Sequence, residues 1–498
     1  METWIEKEFQ DVGFGDARLN NRFRLILEAF DNTPGTSIPQ TFKTWGEIKA
    51  CYNFFSNSSV TEDKILEPHI AATLERIKKE NVILLLNDTT SLDYTKNKSV
   101  RGLGRLASNQ NGDNMGIFVH PLIAITADRL CLGIVQANLF TRSVERLTAS
   151  RAEKKKRPIE EKEIFRWIEG YNAACAVAKE TSDTQIIYIS DREGDFIDLF
   201  HHASKNKDFE AELIVRCSQQ ERAIDEKEDD SQRYKKINSC LKESPTLGEI
   251  KFIISQTGDR KKREVTQSIK ARTVVFRQSR INGKLIEKIK INVVMAIEEN
   301  PPEGEEALCW ILLTTLPIET FDQAALVIQH YLCRWEIEIF FKILKSGCKI
   351  EERQLETTER LLPMIALFLI ISWRVLYLIK IGRANPDLPC TDIFENAEWM
   401  SVHRILFRDQ AIPEKAPTLG IFIKMIAKLG GHIGRNNDDP PGPKVMWKGL
   451  ARMSDFTLAW ESFGPSELKG GDNPPQKKQG VLNKSPQKGK KKHAKGTL

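Results

Sequence analysis

Nine cysteines are scattered through the 498 residues, and no two of them form a C-x-x-C pair. There are only eight histidines, and none clusters beside the cysteines. This argues against a structural zinc site, which needs four thiolate or imidazole ligands at close spacing. Cys131, Cys175 and Cys309 sit in apolar stretches and read as small core residues. The first residues, Met1 to Lys7, carry acids and lack an apolar core, so they do not read as a signal peptide. Thiols without a disulfide framework fit a reducing cytoplasm. Only the run Leu361–Leu378 is apolar enough to raise the question of a membrane span. It contains Pro363 and Arg374 and follows a charged segment, so a buried core helix is the better reading and no membrane is expected.

Acid is missing from Pro475 to Leu498, where eight lysines stand. Removing those charges from the formal +6 leaves −2 for the rest of the chain. Net charge therefore says nothing about whether the body of the protein binds nucleic acid, and only local patches can. Hydrophobic residues make up 41%, enough for packed cores. The length suggests two to four domains.

Residues 1–75 read as a helical module with basic residues among aromatics (Arg18, Arg22, Arg24, Lys43, Trp45, Lys49), broken at Pro34-Gly35 and Ser56-Asn57-Ser58. A core over 76–380 follows. Val82–Leu86 and Gln185–Ser190 are short apolar runs that read as buried strands. His120–Thr126 and Leu130–Phe140 read as a strand pair, and Glu160–Lys179 and Phe196–Ala203 as helices. This alternation predicts a central α/β sheet. From about 218 to 305, charge runs alternate with β-like stretches (Lys251–Ile254, Thr273–Phe276, Lys290–Ile297), which reads as a β-rich insertion. Trp310–Thr315 resumes a buried strand. One long helix is expected next, opened by a capping box at Thr320 and Gln323 and ended at Gly347. Further helices are expected over about 355–381 and 415–465, the latter in a helical region spanning 381–465. Residues 466–498 form a basic tail too poor in apolar residues to fold.

Two of the strands run into aspartate, at Asp88 and Asp191. Sites in open α/β sheets gather beyond the carboxyl ends of strands, although a strand-end Asp alone is often only a turn or a helix cap. The long helix adds to the case. Tyr331, Arg334, Glu338 and Lys345 are spaced so that roughly 100° per residue puts them within about a 60° arc, with Lys342 at its edge. Such a stripe is no core stripe. It is either a solvated face with i,i+4 pairs or a surface for an anion that carries a metal, such as a phosphodiester. Carboxylates from two strands and a helix suit a hard cation with oxygen ligands. Two Mg²⁺ ions about 4 Å apart, with Mn²⁺ as a substitute, could drive in-line displacement at phosphorus.

The ordered motifs resemble a known family. Tyr331-x-x-Arg334-x-x-x-Glu338 followed by Lys345 is similar to the Y-(2)-R-(3)-E-(6)-K signature of insertion-sequence transposases related to that of transposon five. Asn87–Leu92 and Asp191–Asp195 resemble the segments around that family's two catalytic aspartates. Asn300–Gly304 with Trp310–Thr314 resembles the strand before its signature helix. Ala416–Gly420 and Ala427–Gly431 resemble its C-terminal region, and Gly15-Asp16-x-Arg18 its start. The resemblance covers about residues 4–465. It implies a DNA transposase with an RNase-H-like α/β core, a helical N-terminal DNA-binding domain and a helical C-terminal dimerisation domain.

The same resemblance implies roles. Asp88, Asp191 and Glu338 would be the catalytic, metal-binding triad. Tyr331, Arg334 and Lys345 would grip a phosphate of the transposon end. Trp310 would stack a flipped base, and Arg216 and Lys342 would contact DNA. Cutting would proceed by nicking, hairpin formation and opening, and strand transfer into target DNA, by a homodimer on double-stranded DNA in a bacterial cytoplasm, beside the nucleoid. At Glu336 and Ile339 the chain departs from the family, and altered DNA contacts are expected there. Two other readings remain: an RNase-H-like nuclease that does not join strands, and a non-catalytic DNA-binding regulator derived from a transposase.

Overall fold

The computed structural model describes residues 3–107, 113–142, 153, 157–205, 211–228, 233–254, 263–281, 284–435 and 441–464. The basic tail expected over 466–498 lies outside the described residues.

The N-terminal segment folds as helices α1 (Trp4–Glu8), α2 (Ala17–Asn32), α3 (Ile38–Thr41), α4 (Trp45–Phe55) and α5 (Glu62–Ile77). Polar side chains set their starts. Thr3 with Glu6 and Thr44 with Glu47 form capping boxes, and Asp16 and Thr61 accept from backbone N–H groups of the first turn. The Gly15-Asp16-x-Arg18 motif is thus a helix start, with Arg18 ion-paired to Asp16 at 3.0 Å. Both expected breaks fall between helices.

The strands are β1 (Val82–Asn87), β2 (Thr90–Asp93), β3 (Gly104–Arg105), β4 (Met115–Thr126), β5 (Cys131–Phe140), β6 (Gln185–Ser190), β7 (Glu212–Arg216), β8 (Ala223–Lys227), β9 (Tyr234–Lys236), β10 (Thr246–Ile254), β11 (Arg263–Val275), β12 (Arg280–Ile281), β13 (Lys284–Leu285), β14 (Lys290–Glu298) and β15 (Cys309–Thr314). Among the described residues, eleven of them share one mixed sheet. Its order is β10-β11-β14-β15-β7-β6-β1-β4-β2, with β3 and β5 also on β4. The β-rich stretch does not stand apart: β10, β11 and β14 extend the central sheet through the antiparallel β14–β15 and β15–β7 pairs.

Neighbours β1, β6 and β7 are parallel and buried on both faces, which is why they read as unbroken apolar runs. Alternation still decides the layers. Ile83 and Leu85 join Tyr188, Trp167, Tyr171 and Leu199 on one side, under helices α6 (Phe165–Glu180) and α7 (Ile197–Lys205). Leu84, Leu86, Ile187 and Ile189 face the other side. Helix α8 (Ile237–Glu243) lies within the β-rich stretch.

On that second side, helix α9 (Phe321–Leu332) begins at the Thr320–Gln323 capping box. The single long helix expected up to Gly347 is interrupted. Cys333, Arg334, Glu336 and Ile337 make i→i−3 backbone bonds, α10 runs from Trp335 to Lys342, and a π turn covers Ile343–Gly347. A tighter and then a wider turn shift the phase of every residue between them, so a wheel drawn at constant pitch does not describe this segment. Gly347 does end it.

Helix α11 (Thr358–Ala384) crosses the middle of the molecule. By length and composition it could span a membrane, but 89% of its most apolar window is buried inside the protein, as a core helix requires. Trp373 donates from Nε1 to the Cys131 carbonyl of the sheet at 3.0 Å. The C-terminal part holds α12 (Asn396–Leu406), α13 (Leu419–Leu429) and α14 (Pro443–Phe463). The stretch of about 415–465 holds two of them, α13 and α14, parted after Gly430-Gly431. A Cβ on Gly430 would stand 1.8 Å from the Val445 carbonyl oxygen, and one on Gly449 2.1 Å from that of Ile426. These two glycines let α13 and α14 cross backbone to backbone.

Candidate active site

In the parallel pair β1–β6, Asn87 stands opposite Ser190. The next residues of the two strands are Asp88 and Asp191, so the register delivers both carboxylates side by side at the carboxyl edge of the sheet. Helix α10 brings Glu338 to the same edge. The three acids line one open cavity of about 450 Å³, together with Thr89, Glu193, Arg334, Lys342 and Lys345.

Each aspartate is oriented by backbone. Asp88 Oδ1 accepts from the Thr89 N–H at 2.7 Å, and Asp191 Oδ1 accepts from the Glu193 N–H at 2.9 Å. Arg334 lies between the other acids: Nη1 donates to Asp88 Oδ2 at 2.8 Å and Nη2 to Glu338 Oε1 at 3.2 Å. Burial, then repulsion from Asp191, raises the Asp88 carboxyl to about 7 even with Arg334 beside it. The pocket holds more negative charge than its one bridging guanidinium balances. Carboxylate oxygens short of positive charge suit a hard divalent cation. Among the described residues, no group of three or more His, Cys, Asp or Glu stands close enough to hold a metal. The donor types fit, while Arg334 occupies the gap between Asp88 and Glu338.

The other expected site residues divide. Lys342 is exposed, Lys345 is half-buried, and both line the cavity. Arg334 and Tyr331 are buried, not part of a solvated face. Burial raises the Tyr331 phenol, opposed by Arg334 and Arg216, which puts Arg216 at the same end of the site. Arg216 closes β7 opposite Leu312 of β15. Trp310, also on β15, does not line the cavity. It stacks on Phe252, with ring centroids 6.1 Å apart at 16°. Glu336 does not line the cavity. Its carboxylate is buried and accepts from Lys380 Nζ of α11 at 2.7 Å, because this face of α10 packs inward. Ile339 is half-buried and packs against the core.

Several residues around the aspartates escaped the sequence reading. His120 of β4 is buried, pairs through Nδ1 with Thr89 Oγ1 at 2.8 Å, and packs its ring against the edge of Trp167 at 4.7 Å. Burial lowers its pKa to about 3, so it is neutral. Arg166 of α6 reaches both Thr89 and Glu193. Tyr188 donates to Asn87 Oδ1 at 2.8 Å, and Asn87 Nδ2 donates to the Pro121 carbonyl at 2.9 Å. The polar residues Asn87, Thr89 and His120 flanking apolar runs were the available signal.

Three stretches of the chain match known families. Residues 1–60 match a family described as transposase DNA-binding, residues 153–373 one described as transposase DDE domain, and residues 370–461 one described as transposase Tn5 dimerisation domain. Asp191 and Glu338 fall within the second match. Asp88 lies before it, and what joins Asp88 to them is strand register and a shared cavity.

Proposed function

The chain belongs to the Tn5-like DDE transposases, and on that premise we propose that it excises and inserts a transposon by nicking, hairpin formation, hairpin opening and strand transfer. A DDE transposase cleaves and joins DNA with divalent metal, binds DNA and dimerises. We further assign Asp88, Asp191 and Glu338 as the carboxylates that hold the metal, with Mg²⁺ as the ion and Mn²⁺ as a working substitute. The observation that carries this reading is that these three acids, from two adjacent strand ends and one helix, line a single cavity with cations at its rim.

Divalent ions bound there supply charge neutralisation at phosphorus and a more acidic water or 3′-hydroxyl. The protein's own groups do the rest. Lys342 and Lys345 attract and seat a backbone phosphate, as charge-assisted donors do. Arg334 lines the same cavity, and its planar fork would suit the same phosphate. Tyr331 and Arg216 extend this grip along the strand being cut. Trp310 offers an aromatic face to a base displaced during hairpin formation, after leaving its stack on Phe252. Functionally, residues 1–75 form the DNA-binding unit, 76–380 the catalytic core with its β-rich stretch at 218–305, and 381–465 the dimerisation unit. The partners are the terminal inverted repeats and target DNA, bound by a homodimer in the cytoplasm beside the nucleoid.

The test uses the inverted repeats flanking the gene. A labelled end incubated with the full-length protein and Mg²⁺ should give nicked and hairpin products. Asp88→Ala, Asp191→Ala and Glu338→Ala should each lose both products and keep end binding. Retained cleavage in any of the three overturns the carboxylate assignment. Binding without cleavage by the unaltered protein would make it a regulator, and double-strand cutting without hairpins or joining would make it a nuclease.

A further inference from the structure

The aspartates are each oriented by a neighbour's backbone N–H, and one side chain grips both neighbours. Arg166 sits in the first turn of α6, beside the sheet edge. Its Nε donates to Thr89 Oγ1 at 3.1 Å and its Nη2 to Glu193 Oε2 at 2.9 Å. Its Nη1 is fixed on the Glu163 carbonyl at 2.6 Å. Thr89 is the residue whose N–H holds Asp88, and Glu193 the one whose N–H holds Asp191. The Thr89 hydroxyl is also paired with His120, a buried neutral ring wedged on Trp167. The Arg166 side chain is 12% exposed and the Glu193 side chain 59%, so the bond to Thr89 is the better shielded of the two.

We propose that Arg166 is a positioning residue that fixes the spacing of the Asp88 and Asp191 carboxylates by tying their loops together through Thr89 and Glu193, and so sets the affinity for divalent cations. This rests on the reading of the two aspartates as metal ligands. The planar fork matters, because its nitrogens point to two loops at once. A lysine in its place has one charged nitrogen and satisfies one loop only. Outer partners that orient metal ligands typically govern affinity or activity by 10- to 100-fold. Three of its five N–H donors are engaged, on Thr89, Glu193 and the Glu163 carbonyl, which directs the guanidinium at the loops that carry the aspartates.

The experiment measures Mn²⁺ binding to the full-length protein by EPR, beside the Mg²⁺ dependence of nicking and the affinity for a labelled end over a salt series. Arg166→Ala should raise half-saturating Mn²⁺ by about tenfold or more, with end affinity and its salt dependence unchanged. Arg166→Lys should remain impaired. Glu193→Gln, at a side chain 59% exposed, tests the link without threatening folding and should weaken Mn²⁺ binding in the same direction. Adding Arg166→Ala to a Thr89→Val/Glu193→Gln protein should cost little more. Unchanged Mn²⁺ affinity in Arg166→Ala or Glu193→Gln overturns the proposal. So does weaker end binding with a salt slope reduced by about one, which marks a direct phosphate contact. Asp88→Ala separates the two levels. If it keeps Mn²⁺ binding and cleavage, the metal-site reading itself fails. If it loses them while Arg166→Ala behaves as the native protein, only the positioning role fails.

Discussion

Glu336 is two residues from Glu338 on the same helix, yet its side chain is 2% exposed and points away from the cavity into a pair with Lys380. At 2.7 Å, and with an effective dielectric constant of about 20, their attraction is roughly 6 kcal/mol. Desolvating each ion costs several kcal/mol, so the intact pair contributes little net stability. Arg129, 3.8 Å away and 45% exposed, adds little. Removing one partner is a different matter. In Glu336→Leu the Lys380 ammonium, 12% exposed, keeps its burial and loses its counter-charge, a loss of about 3–5 kcal/mol. Replacing both with Glu336→Leu/Lys380→Met should restore most of it. Amide hydrogen exchange over 335–347 and 372–384 reads the local opening free energy directly, which suits a multidomain chain better than one melting temperature. Exchange in these segments should accelerate by about two to four orders of magnitude in the single variant and return towards native rates in the double. Equal exchange in native and single-variant protein, or no recovery in the double, would refute the buried-pair account. End binding is the second readout. An acid facing DNA repels phosphate, so tighter binding by Glu336→Leu would return this residue to the DNA surface, whereas the packing predicts no change.

The N-terminal helix carries a titratable link to the core. Burial would raise the Glu8 carboxyl, but hydrogen bonds from His69 Nδ1 and the Arg76 guanidinium hold it down at about 2. A depressed folded pKa stabilises above the unfolded value near 4.5 and loses that contribution as pH falls towards 2, here about 3 kcal/mol. Hydrogen-exchange protection factors over 4–9 and 62–77, corrected for the intrinsic rate, should therefore fall between about pH 4.5 and 2, and Glu8→Gln should flatten that dependence. A native-like acid profile in Glu8→Gln would sink the assignment. A second link is Arg353. It is buried between the rings of Phe30 and Phe368 and donates to the carbonyls of Pro34, Thr36 and Cys348. Arg353→Met should cost about 3 kcal/mol by orphaning those carbonyls and make the 33–37 loop a site of rapid limited proteolysis. Protection equal to the native protein would show that the loop is held by other contacts.

The parts of this protein that were legible in its sequence are those fixed by local pattern. The capping box at Thr320, apolar runs at Val82–Leu86 and Gln185–Ser190, and the glycine at 347 mark element ends through chemistry that acts within a few residues. The placing of Asp88 and Asp191 at one sheet edge was legible because each directly follows a strand. What stayed hidden is what depends on partners far along the chain. A constant helical pitch put Tyr331, Arg334 and Lys345 on one face of a single long helix. The pitch changes at Cys333–Arg334 and again at Ile343–Gly347, and Arg334 turns inward onto Asp88, which is 246 residues away. Glu336 reads as a surface charge until Lys380 of a separate helix meets it. Arg166 lay in a segment that reads only as charged and helix-prone, since its meaning comes from Thr89, 77 residues before it, and Glu193, 27 after. The division has a physical cause. A cap or a strand needs only its neighbours, whereas a buried charge is tolerable only opposite a partner that the fold, not the local sequence, supplies. Buried charges are therefore the residues whose roles had to wait for the structure, and here they form the frame around Asp88 and Asp191.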